Sequence, residues 1–176
     1  MANHYLQFSE VLPHLTEEEE RWLRHQLEFV LVIGDKEYVK ADVPDNLNPA
    51  DAEWEGCRVY RDMDGYDPDL GECAGFSYSF DDDAPNNWGR HLWLYAEESG
   101  CVDRVAHLIQ NFLREFHPDQ CWPLTYATTC SKPRVGEFGG GAVFVTADEI
   151  KWHNAYEVVE QERAEFGHHQ VVRSRL

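Results

Sequence analysis

The chain has 176 residues, 43% of them hydrophobic and 13% aromatic, and a formal net charge of −18. That length suits one domain with its own core, and that apolar content excludes a disordered chain. So acidic a surface repels phosphate backbones, so no direct nucleic-acid binding is expected, whereas basic partners are attracted.

The charge is unevenly placed. Residues 41–100 carry 15 acids against 3 bases, whereas residues 1–40 carry 8 against 4 and residues 101–176 carry 10 against 8. The longest apolar run, Phe29-Val30-Leu31-Val32-Ile33, is far short of the roughly 20 residues of a membrane helix, so no membrane association is expected. Residues Met1 to Tyr5 show no basic region followed by an apolar one, and no secretory leader is expected. Five cysteines form no CxxC pair; an odd number of free thiols suits a reducing, cytoplasmic setting.

In chain order, Tyr5 to Leu12 reads as a first strand stopped by Pro13. Thr16 and Glu19 then form a capping box, and Glu17 to Glu20 lie where a helix dipole favours negative charge. Trp22, Leu23, Leu27, Val30 and Leu31 share one helical face, and Gly34-Asp35 ends the predicted helix. Residues 35–72 read as an acidic, loop-rich insertion, with a short strand over 56–60. Within it, Asp62, Asp64, Asp67 and Asp69 surround Gly65. They miss the calcium-loop pattern, because position 5 from Asp62 is Tyr66 and position 6 is Asp67.

Ala74 to Phe80 alternates aromatic with small residues, and His91 to Ala96 follows it; the two predict an antiparallel pair. Asp81, Asp82 and Asp83 end the first of these strands as a solvated tip. Ser99 is the expected cap of a second helix carried by Val102, Val105, Ala106, Ile109, Phe112, Leu113 and Phe116, with His107 on its polar side. Residues 124–129 and 142–145 predict two more strands. Thr146 and Glu149 form a second capping box for a helix to Phe166, with Gly167 as its stop. The pattern predicts a single α+β domain over residues 1–167 and a flexible tail over 168–176. Its mostly antiparallel sheet and about three helices would follow the split β-α-β, ferredoxin-like order.

Cations, a thiol and permissive backbone meet at one turn. Cys130, Lys132 and Arg134 precede Gly136 and the run Gly139-Gly140-Gly141. Glycine-rich backbone can cradle an anion, so these residues are the candidate ligand site, although neither GxxxxGK[ST] nor GxGxxG is present. Lys132 and Arg134 suit a depressed thiol pKa at Cys130, with His153 as the nominated base, but no catalytic signature surrounds the cysteine. Nine histidines and five cysteines show no HExxH, HxH or CxxC. No metal and no cofactor is therefore expected; a trio such as His91, His117 and Cys121 could meet only through the fold. Trp93 and Tyr95 alternate with Leu92 and Leu94, which puts an aromatic row on the second sheet face, expected to lie under a covering layer.

Two functions follow. The first is a non-enzymatic binding protein for a basic partner surface, one form being a nucleic-acid mimic, with Asp62, Asp64, Asp67, Asp69, Asp81, Asp82 and Asp83 as its contacts. The second is a small-anion binding protein or enzyme working at the Cys130–Gly141 turn.

Overall fold

The computed structural model describes residues 3–63, 74–82, 87–132, 134 and 136–173, with side chains described as far as residue 164. Among these residues the fold is α+β, with three α-helices and nine strands.

Strand β1 (His4–Leu12) leads into α1 (Glu17–Gln26), and the capping box forms as the sequence predicts. The Thr16 amide donates to Glu19 Oε2 at 2.6 Å, and the Glu19 amide to Thr16 Oγ1 at 3.2 Å. The helix is shorter than its periodicity suggests. Phe29–Ile33 is strand β2, which pairs with β3 (Lys36–Val39) and with β4 (Trp54–Cys57). A run of β-branched and aromatic residues packs well on a pleated surface, and here that preference wins over helical spacing. Gly34, at φ 59°, supplies the left-handed backbone of a tight β2–β3 turn. The described part of the expected insertion thus contributes two strands, β3 and β4, to a second sheet ordered β3-β2-β4. A 3-10 turn over Arg58–Tyr60 follows β4, and Arg58 fastens this unit by pairing with Glu28 at 2.8 Å and Glu37 at 2.7 Å.

Strands β5 (Ser77–Asp81) and β6 (His91–Ala96) form the expected antiparallel pair. Helix α2 (Val102–Phe116) begins from Cys101, not Ser99, and Cys101 makes no side-chain capping bond. Then come β7 (Cys121–Cys130), β8 (Gly139–Thr146), β9 (Ile150–Asn154) and α3 (Ala155–Arg173). The Thr146–Glu149 pair, expected to start a helix, closes the β8–β9 hairpin instead. The Glu149 amide donates to Thr146 Oγ1 at 3.1 Å, and the Thr146 amide to the Glu149 carbonyl at 3.0 Å. A threonine hydroxyl that accepts an amide three residues on serves a tight turn as well as a helix start. Helix α3 also continues through Gly167, the expected stop.

The larger sheet has six strands in the order β5-β6-β1-β7-β8-β9, with every neighbouring pair antiparallel. This is one strand more than the sequence suggests, besides the separate three-stranded sheet. Helix α2 lies against β7, β8 and the Arg58–Tyr60 turn. Its Val105, Leu108, Ile109 and Phe112 meet Leu92, Leu94, Leu124, Val143 and Val145 in a single buried cluster. His107, expected on the polar side, is half-buried, its ring 6.2 Å from that of Tyr60. The Arg58–Tyr60 turn covers a side of α2 that the helical pattern alone leaves polar.

Candidate functional site

Two places on the six-stranded sheet gather functional side chains. The first is the face turned away from α2. Alternation along β7 buries Trp122 and Leu124 and leaves Cys121, Pro123, Thr125 and Ala127 exposed. In β6, Leu92 and Leu94 are fully buried while Trp93 is 39% exposed. Residues of β1, β6 and β7 on the outer face bound an open trough of about 1170 Å³. Trp93 and Tyr95 stack along its side, with ring centroids 4.1 Å apart and 23° between planes. Trp93 Nε1 donates to Ser9 Oγ at 2.9 Å, which fixes the indole. Glu97 and Glu98 also line it, and among the described residues no lysine or arginine does. The covering layer expected over this aromatic row is not seen among the described residues, where Gln7, Ser9, Trp93, Thr125 and Ala127 are all exposed.

The second place is one end of the sheet. His4 opens β1 and stands directly opposite Cys130, which closes β7. Glu137, from the turn before β8, reaches the same point: Cys130 Sγ donates to Glu137 Oε2 at 3.0 Å. Arg134 pairs with Glu137 Oε1 at 3.5 Å. A cleft of about 460 Å³ lies beside them, lined by His4, Glu137, Glu98, Ser99, Thr128 and Thr129.

Cys130 is buried at 8% exposure, while Lys132 and Arg134 are exposed, with Arg134 turned to Glu137. Gly139, Gly140 and Gly141 are strand residues of β8, opposite Thr128, Ala127 and Tyr126. Their small size serves close approach. A Cβ on Gly140, at φ 147°, would lie 2.3 Å from the Tyr126 carbonyl oxygen, and one on Gly139 would lie 2.9 Å from the Tyr156 ring. Asp62 is exposed after the Arg58–Tyr60 turn, Asp81 ends β5, and Asp82 pairs with Arg90 at 3.8 Å. Asp64, Asp67, Asp69 and Asp83 lie outside the described residues.

His153, the base nominated for Cys130, stands on β9 opposite Ala142, while His4 takes the place beside the thiol. The trio His91, His117 and Cys121 does not form a donor cluster among the described residues. His91 Nδ1 bonds the Gly89 carbonyl at 2.8 Å, and His117 bonds Glu19. Burial works against the Glu19 carboxylate, but the amide and hydroxyl of Thr16 and the His117 imidazole outweigh it and hold its pKa below the ordinary value. That pair ties α1 to the end of α2 and is a structural contact. His4 carried no local signal in the sequence; only its register with Cys130 reveals it. No protein-family model, no curated protein and no solved structure matches the chain.

Proposed function

We propose that the protein is a non-enzymatic binding protein that engages a basic segment of a partner on the open face of its six-stranded sheet. The observation that carries this reading is the trough itself, whose lining includes both a stacked Trp93–Tyr95 pair and the acidic residues Glu97 and Glu98. An aromatic face attracts a guanidinium or ammonium group, and carboxylates in the same lining supply the opposite charge. The net charge of −18 extends the same preference over long range and speeds encounter with a basic surface. A protein that presents such acids to a DNA-binding partner would act as a nucleic-acid mimic, one form of this reading.

The architecture agrees with it. We read β1-α1-β5-β6-α2-β7 as a ferredoxin-like split β-α-β core, extended by β8 and β9 and interrupted by the three-stranded sheet. The antiparallel order β5-β6-β1-β7 supports this. In such a core the helices cover one face and leave the other for a ligand. The Cys130–Gly141 turn is the weaker alternative as an anion site, because its Arg134 already faces Glu137 and its three glycines belong to a strand.

Calorimetric titration with an arginine-rich peptide and with a glutamine peptide of equal length tests the proposal. The arginine peptide is expected to bind, with an affinity that falls as salt rises. Trp93→Ala should weaken it by about 0.5–2 kcal/mol, roughly 2- to 30-fold in Kd. Glu97→Gln with Glu98→Gln should also flatten the salt dependence. Equal binding of both peptides, or an unchanged Kd in the variant lacking all three side chains, would overturn the reading.

A further inference from the structure

The cluster at the sheet end has a chemistry that the binding face does not use. An imidazole nitrogen of His4, the sulfur of Cys130 and a carboxylate oxygen of Glu137 all lie within 4.8 Å of one another. The edge of a tetrahedral zinc site, with bonds of about 2.0–2.3 Å, is ~3.3–3.8 Å. The Cys130–Glu137 edge, at 3.0 Å, is already of that order, and a contraction of about 1 Å closes the others.

The scaffold holds these donors in place. His4 and Cys130 are cross-strand partners in β1 and β7. The ladder is locked just beyond them. The Asn3 amide donates to Ser131 Oγ, and the Ser131 amide to the Asn3 carbonyl, each at 2.9 Å. Arg134 takes Glu137 Oε1 and leaves Oε2 turned toward the thiol. Two donors carried on paired strands and a third oriented by its ion pair with Arg134 are an arrangement that suits metal binding.

The geometry points to a binding site for one borderline-soft divalent cation of the zinc class, held by His4, Cys130 and Glu137. The donor set selects the metal: magnesium and calcium prefer all-oxygen shells, whereas a mixed nitrogen, sulfur and oxygen set suits zinc or cobalt. Three protein ligands leave a fourth position, and the cleft bounded by Glu98, Ser99 and Thr128 provides room for water or a small ligand there. The Cys130 S–H that now donates to Glu137 is the proton that the cation displaces, so binding releases one proton from the thiol to solvent as the metal–sulfur bond forms.

The test uses the full chain without an affinity tag, since a histidine tag would add donors near His4. Chelator-treated protein is titrated with Zn²⁺ by calorimetry in two buffers of different ionisation enthalpy, and with Co²⁺ by absorption. One equivalent of Co²⁺ is expected to give a sulfur-to-cobalt charge-transfer band, and Zn²⁺ to bind with proton release. Cys130→Ser should abolish the band. His4→Ala and Glu137→Gln should each weaken Zn²⁺ by more than about 10-fold. His4 is exposed, so its variant keeps the test valid even if Cys130→Ser disturbs the fold. Absence of a thiolate band, its persistence in Cys130→Ser, or unchanged affinity in both His4→Ala and Glu137→Gln would each overturn the assignment.

Discussion

The two faces of the six-stranded sheet are made by alternate residues of the same strands, yet they have opposite roles. Leu92, Leu94, Leu124, Val143 and Val145 point toward α2 and are fully buried. Trp93, Tyr95, Thr125 and Ala127 come from the same strands and border an open trough. Removing an aliphatic side chain from water stabilises the fold by about 1.5–3 kcal/mol. Trp93, at 39% exposure, keeps part of its surface available for a partner. The comparison teaches that an aromatic residue on a strand is core or binding surface according to what lies over it, not according to its own hydrophobicity.

Truncating one residue on each face, Leu124 inside and Trp93 outside, separates their roles most clearly. Leu124→Ala should lower the unfolding free energy by about 2–5 kcal/mol in urea, because it opens a cavity under α2, while the arginine-peptide Kd of the folded protein stays the same. Gly140→Ala should follow at about 1–3 kcal/mol. The added Cβ would lie 2.3 Å from the Tyr126 carbonyl oxygen, at a φ of 147° that side-chain-bearing residues rarely adopt. A stability equal to that of the parent would show that the β7–β8 ladder can shift to admit the methyl group.

A third prediction concerns acid. Burial is the largest influence on His107 and holds its pKa below the ordinary 6.5, although a Val59 backbone bond and Asp62 act the other way. Between the folded value and about 6.5 the unfolded chain binds more protons than the folded one. Stability is therefore fully present above that window and falls as the pH drops through it. His107→Gln should flatten this part of the urea-midpoint profile; an unaltered slope would remove His107 as its source. Trp93→Ala should have the smallest effect on stability, within about 1 kcal/mol, despite its effect on peptide binding. If it destabilised the fold as much as Leu124→Ala, the outer face would have to be covered.

Several elements were legible in the sequence because one local signal dominated. The Thr16–Glu19 capping box, the helix from Val102 to Phe116 and the β5–β6 pair follow from spacing alone. Other segments carried signals that two structures share. Phe29–Ile33 continues the helical face of Trp22 and Leu23, yet five apolar residues in a row also make a buried strand, and β3 and β4 decide the matter by pairing with it. Thr146 and Glu149 have capping-box spacing, yet the same hydroxyl closes a hairpin. At the candidate sites, Cys130 was visible as the thiol of a basic turn, but His4 was not, because no local pattern joins two residues so far apart in the chain.

Acidity, the amphipathic α2 and the strand alternation that sorts Leu92 and Leu94 from Trp93 and Tyr95 are all written locally in the chain. These depend on near neighbours along the chain, where the period of an element sets which side chains share a face. Tertiary contacts were needed to show that the aromatic row is uncovered among the described residues, that β2, β3 and β4 build a second sheet, and that His4 meets Cys130 and Glu137. Each of these depends on strand partners distant in sequence, and only hydrogen-bonded register brings such residues together.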